Sequence, residues 1–404
     1  MRFHRQGHRS VDTEGILLKL SVVVVSSRPT GFLEECIESV IHQADELLVV
    51  DNCSPRGAAG AVAQAAGARF VRMPSDNGFA SALNRGAEAT RGDVVAFLNE
   101  RAVAGDGWLA GAARLLEDPT IGAVSPRVVL AGRYLEIVLD DEPFLAGGDS
   151  RPLGRQLTTA TIGGVDVLDR LRGAGIHPLE GGPTSDRRRW TAGRTPFYAP
   201  LVDTDEDLDL LLNDQPVRPS RVVDLLSSAG SYLRADGSVG GIGSEAPDEL
   251  RSVSPEERFS LGGVALVTRR DVLERVGSFA GRYVSMYEDT DWCWRGRLMG
   301  LRMFYDPAAT IRFEAFAPGG VGSRRERHLT ERNRLLTLLR NAPLDLALAE
   351  AWRKHRGARD DGVAHLVPKL VPRALGEREL LRRRWAVRPR EIFERWAGVD
   401  VPAA

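Results

Sequence analysis

Residues 20–54 read LSVVVVSSRPTGFLEECIESVIHQADELLVVDNCS. The run LSVVVVS is short, β-branched and uninterrupted, the pattern of a strand buried on both faces. Residues 31–43 follow with apolar positions at helical spacing. LLVVD is a second buried run, with Asp51 at its carboxyl end. Strand, helix and strand in immediate succession predict a βαβ unit with parallel strands.

The alternation continues outward. Residues 58–66 are an Ala-rich helix, RFVRM a strand, 78–90 a helix, DVVAFLN a strand, 108–116 a helix and IGAVSPRVV a further strand. Short loops between such elements imply a doubly wound α/β sheet that is mostly parallel and flanked by helices. Ligands of such sheets sit outside the carboxyl ends of the strands, where the strand order reverses. The positions of interest are therefore 26–29, 51–54, 74–77 and 99–101.

Beyond this region the rhythm fails. Residues 131–222 are rich in Gly, Pro and charge, with RRRW at 187–190 and an acidic run of Asp203, Asp205, Glu206, Asp207, Asp209 and Asp214. A long irregular stretch in a compact domain is functional or disordered as a rule. A lid over a bound ligand, a ligand-binding wall and a surface elaboration all remain open for it. Regular structure resumes with LGGVALVTR, RFEAFAPGG ends another strand, and HLTERNRLLTLLRNAP is a helix stopped by Pro343. Residues 344–404 are helical and basic, with 13 Arg and Lys against 6 Asp and Glu between Arg353 and Arg395.

Composition excludes several classes. The 404 residues balance 54 cations against 55 anions, which rules out a generally basic nucleic-acid coat. Only three of the cations are lysine, an imbalance attributed to coding bias. The three cysteines, Cys36, Cys53 and Cys293, form no CxxC, so neither a disulfide framework nor a zinc site is expected and a cytoplasmic location is favoured. No apolar run approaches the roughly 18 residues of a membrane span. The first residues, MRFHRQGHRS, lack the apolar core of a signal peptide. There is no GxSxG, no P-loop and no GxGxxG after the first strand.

The motifs VVVVSSRP, LLVVDNCS, SDNGFASALNRG and GDVVAFLNER resemble the nucleotide-binding half of family 2 glycosyltransferases of the GT-A fold. SLGGVALVTRRDVLERVGSF, YEDTDWCWRGRLMG, FYDPAATIRF and ERNRLL resemble the second half, in the family's order. Rhamnosyl- and galactofuranosyltransferases are the nearest subtypes. Residues 1–15 read as a disordered leader, and the resemblance implies a GT-A domain (16–343) divided into a nucleotide half (16–130), an insertion (131–222) and an acceptor half (223–343). A basic helical extension (344–404) follows. It implies hexosyl transfer, with inversion, from a nucleotide-diphosphate sugar to a hydroxyl of a glycan, lipid-linked or cell-envelope acceptor.

Specific residues follow from the resemblance. Ser27, Asp51, Asp76, Asn77, Asn99 and Arg101 would lie against the nucleotide. Asp51 has an alternative as a helix cap, as have Asp76 and Asn77. Asn84 and Gly86 fall at helix-packing positions. In the cluster Glu288-Asp289-Thr290-Asp291, crowding raises carboxylate pKa values, which suits a base. Asp289 would be the general base, and Glu288 and Asp291 would position it or the acceptor. A helix start that merely welcomes acidic residues is the alternative. Trp292 would stack on an acceptor sugar or fill the core.

The chain departs from the family at its metal site. The fourth strand normally ends in an acidic DxD-like motif holding Mn²⁺ or Mg²⁺. Here the tetrapeptide is Leu98-Asn99-Glu100-Arg101. Phe313 and Glu314 stand where the family often has a late histidine. Arginine is always protonated and cannot ligate a cation. Three explanations compete. Arg101 replaces the metal, Glu100 and Glu314 form a rearranged metal site, or the protein is a pseudo-glycosyltransferase that binds a nucleotide or serves as a scaffold. A sugar-nucleotide transferase of the same fold is disfavoured, because its Gly-rich loop near the first strand is missing. The basic tail packs on the catalytic domain or, less favoured because the apolar face of 380–390 is small, touches the inner face of the plasma membrane.

Overall fold

The computed structural model describes residues 18–27, 31–147, 151–181, 187–202, 209–250, 253–315, 324–357 and 362–398. The leader and the acidic positions 203–207 lie outside them. The first βαβ unit forms as its sequence predicts, with β1 (Leu20–Ser26), α1 (Phe32–Val40) and β2 (Glu46–Asp51). Then come α2 (Ala58–Ala65), β3 (Arg69–Arg72), α3 (Phe79–Ala89) and β4 (Val94–Asn99). A short β5 (Ala102–Ala104), α4 (Trp108–Leu115) and the long β6 (Ile121–Leu130) complete this half. The second half brings β7 (Ala265–Arg269), α5 (Arg270–Val276), α6 (Glu288–Leu298) and β8 (Arg302–Phe313).

These strands form one sheet in the order β8-β6-β7-β4-β1-β2-β3, with Glu256–Glu257 outside β8. β1 runs parallel to both β2 and β4, and β8 parallel to β6, whereas β7 is antiparallel to β4 and β6. The chain leaves β1 toward β2 and β3 and returns to β4 on the other flank of β1. The order therefore reverses beside β1, and register sets Ser26 opposite Asp51 and Val25 opposite Asn99 at one carboxyl edge.

Alternation along β1 divides the core into two layers. Val22 and Val24 face Leu33, Ile37 and Val40 of α1. Val23 and Val25 face Ala80 and Leu83 of α3, in a layer that also holds Val272, Val276 and Trp292. Each such fully buried side chain is worth roughly 1.5–3 kcal/mol over an exposed one. Asn84 fixes α3 to the second half, since its Nδ2 donates to Phe279 O at 2.7 Å and its Oδ1 accepts from Phe279 N at 2.9 Å.

The 131–222 segment is a small β module rather than an irregular stretch. Tyr134–Ile137 pairs with Phe197–Pro200 and Arg221–Val223, and Ala160–Ile162 pairs with Leu210–Leu212. Leu135, Ile137, Leu157, Ile162 and Phe197 give it its own core. The RRRW arginines serve that module. Arg187 pairs with Asp166 and Asp169, and Arg188 with Glu180. Arg189 is buried, its donors spent on the carbonyls of Leu168, Leu171 and His177, and burial pulls its pKa down to about 10.

The C-terminal part is helical. α7 (Arg324–Asn341), α8 (Leu344–Arg356), α9 (Val367–Arg382) and α10 (Pro389–Trp396) wrap α6. Trp294 and Leu298 of α6 share one apolar cluster with Leu335, Ala351, Ala374 and Ile392 from these four helices.

Candidate active site

The carboxyl edge of the sheet is cross-linked by side chains from four loops. Ser26 Oγ donates to Glu100 Oε2, and the Ser27 N–H reaches Glu100 Oε1 at 3.4 Å. Asn52 Nδ2 donates to Ser27 Oγ at 3.1 Å and to Asp76 Oδ1 at 2.9 Å. Asp76 Oδ1 also accepts the Gly78 N–H at 3.0 Å, while Asn77 beside it is exposed. Asp51 is fully buried, with Oδ1 accepting the Ser54 N–H at 2.7 Å and Oδ2 lying 3.2 Å from Arg72 Nη1. Asp51 thus closes the 51–54 turn rather than capping α2, whose cap is Gly57 with no side-chain hydrogen bond. Any ribose hydroxyl would share oxygens that each keep a second lone pair.

The acidic turn lies beside this edge. Gly78 has φ +86°, and a Cβ there would sit 2.6 Å from Val284 Cα, so only glycine lets the 76–78 loop touch the 283–287 segment. The Phe79 N–H donates to Val284 O at 2.6 Å. Val284, Met286 and Tyr287 have φ of +65°, +69° and +70°. Such strain costs about 1–3 kcal/mol per residue and gathers at functional sites. The turn delivers Glu288 and Asp289 to the start of α6. Asp289 rests on the Gly262–Gly263 turn, where a Gly263 Cβ would come 3.2 Å from Asp289 Oδ2. Asn99 N donates to Val264 O at 2.8 Å, which joins that turn to the end of β4.

The two carboxyls stand side by side, Glu288 buried and Asp289 half-buried. Burial raises Asp289 above its ordinary range, although the N–H groups of Thr290 and Gly263 oppose the shift. Burial and the neighbouring Asp289 charge push Glu288 up to about 8, and its Oε2 has no hydrogen-bond partner. A carboxyl raised in the fold from 4.5 to about 8 stabilises the native state below pH 4.5. That contribution is lost as pH rises through the interval to about 8. Urea midpoints of the native protein should therefore fall relative to Glu288→Gln across this window. A difference between the two that stays constant from pH 4.5 to 8 would exclude the shift.

Other expected site residues are placed differently. Trp292 is corrected from an acceptor platform to a core residue. It is fully buried, its Nε1 donates to Gly277 O at 3.0 Å, and its ring lies 5.7 Å from that of Phe279. α6 is enclosed on nearly all sides, so its aromatic side chains have no face to offer a sugar. Asp291 is likewise fully buried, between Arg295 and Arg340, and touches α7 rather than the sheet edge. Burial alone would raise it, but the two guanidinium groups outweigh burial and hold it below the ordinary range.

The donor set at the end of β4 does not fit a divalent cation. Asn99 Oδ1 accepts the Arg101 N–H at 3.0 Å, and Glu100 is taken by Ser26 and Ser27. Arg101 Nε donates to Glu314 O at 2.7 Å, its Nη2 lies 4.0 Å from Glu314 Oε1, and its guanidinium stands 5.1 Å from the Phe32 ring centre. The rearranged Glu100–Glu314 metal site is thus corrected, because a fixed cation lies against Glu314. Among the described residues no three His, Cys, Asp or Glu side chains converge as ligands.

Asn52, Gly263 and Asn333 were missed from the sequence. Asn52 lies inside the DNCS motif and Asn333 inside ERNRLL, so both were within stretches already singled out. Asn333 Nδ2 donates to the carbonyls of Tyr283, Ser285 and Met286 at 3.0, 2.8 and 2.8 Å, bracing the strained segment.

Residues 21–155 match the family model for Glycosyl transferase family 2. No curated protein sequence matches the chain. Among solved structures, GalNAc-T7 with UDP, GalNAc and Mn²⁺ aligns at TM-score 0.54 and 12% identity, over 93% of this chain and 56% of that one. This chain thus spans little more than half the length of that protein. A mannosyltransferase from Pyrobaculum calidifontis, in complex with GDP-Man and Mn²⁺, aligns at TM-score 0.41 and 15% identity over 93% and 77%. Glucosyl-3-phosphoglycerate synthase from Mycobacterium tuberculosis, with Mn²⁺, UDP and phosphoglyceric acid, aligns at 0.25 and 26% identity over 28% and 43%. Only the first of these is close enough in shape to speak for the fold. The chain is built on a GT-A-type sheet and, over residues 21–155, is similar to family 2 glycosyltransferases.

Proposed function

We propose that the protein is an inverting glycosyltransferase that moves a sugar from a nucleotide-diphosphate donor to an acceptor hydroxyl. The observation that carries this is the placement of Asp289 on the Gly263 turn, against the sheet edge formed by β1, β2 and β4. In the step proposed, the acceptor oxygen attacks the anomeric carbon while the bond to the diphosphate oxygen breaks. Asp289 takes the acceptor proton, and the nucleoside diphosphate leaves with the bonding electrons. Glu288, neutral at pH 7, keeps a second charge away from that base. Asn52, Asp76 and the Ser26–Glu100 contact hold the loops that would face the nucleotide.

The leaving diphosphate needs positive charge. The residues at the end of β4 supply it as Arg101 instead of a metal. Thermal stabilisation by UDP-, GDP- or dTDP-sugars, and transfer to an acceptor, are therefore expected to survive EDTA. Activity that vanishes with EDTA and returns with Mn²⁺ would overturn this part. The altered β4 terminus also favours a second reading, a nucleotide-binding pseudoenzyme, which binding without turnover would support. Hexosyl donors, glycan or lipid-linked envelope acceptors, and a cytoplasmic site of action with membrane contact through residues 344–404 rest on the family resemblance. No helix among the described residues is long and apolar enough to cross a membrane.

A further inference from the structure

We infer that Glu377, on the C-terminal helix α9, is a positioning residue for the acidic turn. The inference rests on the proposed role of Asp289. Glu377 lies 3.9 Å from the exposed Arg373 of its own helix and pairs closely with two further arginines that reach the turn from opposite sides. One is Arg340, whose Nη1 donates to Glu377 Oε2 at 2.6 Å and whose Nε lies 3.0 Å from Asp291 Oδ1. The Nε contact is charge pairing without hydrogen-bond alignment, while Arg340 Nη2 donates to Asp291 Oδ2 at 3.4 Å. The other is Arg282, which pairs with Glu377 Oε1 and immediately precedes the strained residues 283–287. A carboxylate more than 80 residues away in sequence therefore holds both ends of the segment, its entry through Arg282 and its exit through Arg340 and Asp291.

The charges explain why this carboxylate is needed. Asp291 alone faces Arg295 and Arg340, and Arg282 adds a third cation nearby. Glu377 supplies the second anion, and it is three-quarters or more shielded from water. Without it Arg340 would turn further onto Asp291, and Arg282 would lose the only carboxylate with which it is seen to pair among the described residues. Asn333 braces the middle of the segment by hydrogen bonds to the carbonyls of 283, 285 and 286, whereas Glu377 acts at its two ends. The C-terminal extension thus takes part in shaping the site rather than standing beside it.

The test compares the full-length protein with Glu377→Gln and with Glu379→Gln. Glu379 is on the same helix and pairs outward with Arg382. In Glu377→Gln, amide hydrogen exchange over 283–289 is expected to rise about tenfold while the sheet stays protected. Transfer is expected to lose about tenfold in kcat with donor KM within about twofold, since geometry rather than binding is disturbed. Glu377→Asp should recover part of both losses, and Glu379→Gln should match the native protein. Unchanged exchange over 283–289, or a rise shared by the whole chain, would overturn the inference. If the native protein transfers no sugar at all, the functional proposal fails, while the exchange measurement still decides the role of Glu377.

Discussion

Asp289→Asn is expected to lower kcat by about 10²–10⁴-fold, the contribution of one well-placed general base. The substitution is nearly isosteric. The asparagine Oδ1 can still accept the Thr290 N–H, which bonds the carboxylate Oδ1 at 2.6 Å now. What is lost is the capacity to take a proton. Burial already disfavours the Asp289 charge, so removing it should leave thermal stability unchanged or higher. Donor KM should change little, because the loops expected to face the nucleotide belong to β1, β2, β4 and the 76–78 turn, not to α6. Steady-state kinetics with the nucleotide sugar that stabilises the native protein give the measurement. Retention of more than about a tenth of the native rate would move the base elsewhere. Glu288 is the nearest alternative, and the native protein's rate profile would then carry a limb at its pKa of about 8, a limb that moves down once the Asp289 charge is removed.

The half of the fold around residues 20–130 was legible because its strands are continuous apolar runs joined by short loops. Val22 to Val25 cannot face water on either side, and the sequence says so directly. The 131–222 module was not legible for the converse reason. Its strands are two to four residues long, too short for any periodicity, and its core forms only when residues far apart meet, such as Leu135 with Phe197. Trp292 was open to misreading because α6 is enclosed by the sheet on one side and by the C-terminal helices on the other. A helix buried all round has no polar face to mark which residues look outward. Arg101 could be recognised as the wrong residue for a metal ligand. Its partners, the backbone oxygens of Glu314 and Ala315, depend on where β8 ends, more than 200 positions later. The same holds for Glu377, whose neighbours in sequence give no sign of Arg282 or Arg340.

The largest expected loss of stability is at Asp291. Its carboxylate is fully buried, and the surrounding contacts are dense. Arg295 Nε donates to Oδ2 at 2.9 Å, Asn341 Nδ2 donates to Oδ1 at 2.9 Å, the Tyr283 hydroxyl lies 3.2 Å from Oδ1, and Arg340 pairs from α7. Asp291→Asn keeps the shape and removes the charge. Arg295 then loses its carboxylate partner and Arg340 keeps only Glu377, and breaking one partner out of a buried pair costs about 3–5 kcal/mol. Equilibrium urea unfolding should show that loss at pH 7, and a cost below about 1 kcal/mol would mean that water or rearrangement screens the arginines. The pH dependence provides a second check with a definite sign. Because the folded carboxyl is held below its ordinary value of 3.8, its contribution is complete above that value and fades as pH falls through the folded one. The gap between native protein and Asp291→Asn should therefore be level near neutrality and close in acid. Glu288 behaves in the opposite sense, since its contribution fades as pH rises toward about 8. Two carboxyls on the same turn of α6 thus respond to pH in opposite directions. One is neutralised by Arg295 of its own helix and by Arg340 reaching in from α7, and the other keeps an oxygen without a hydrogen-bond partner beside Asp289.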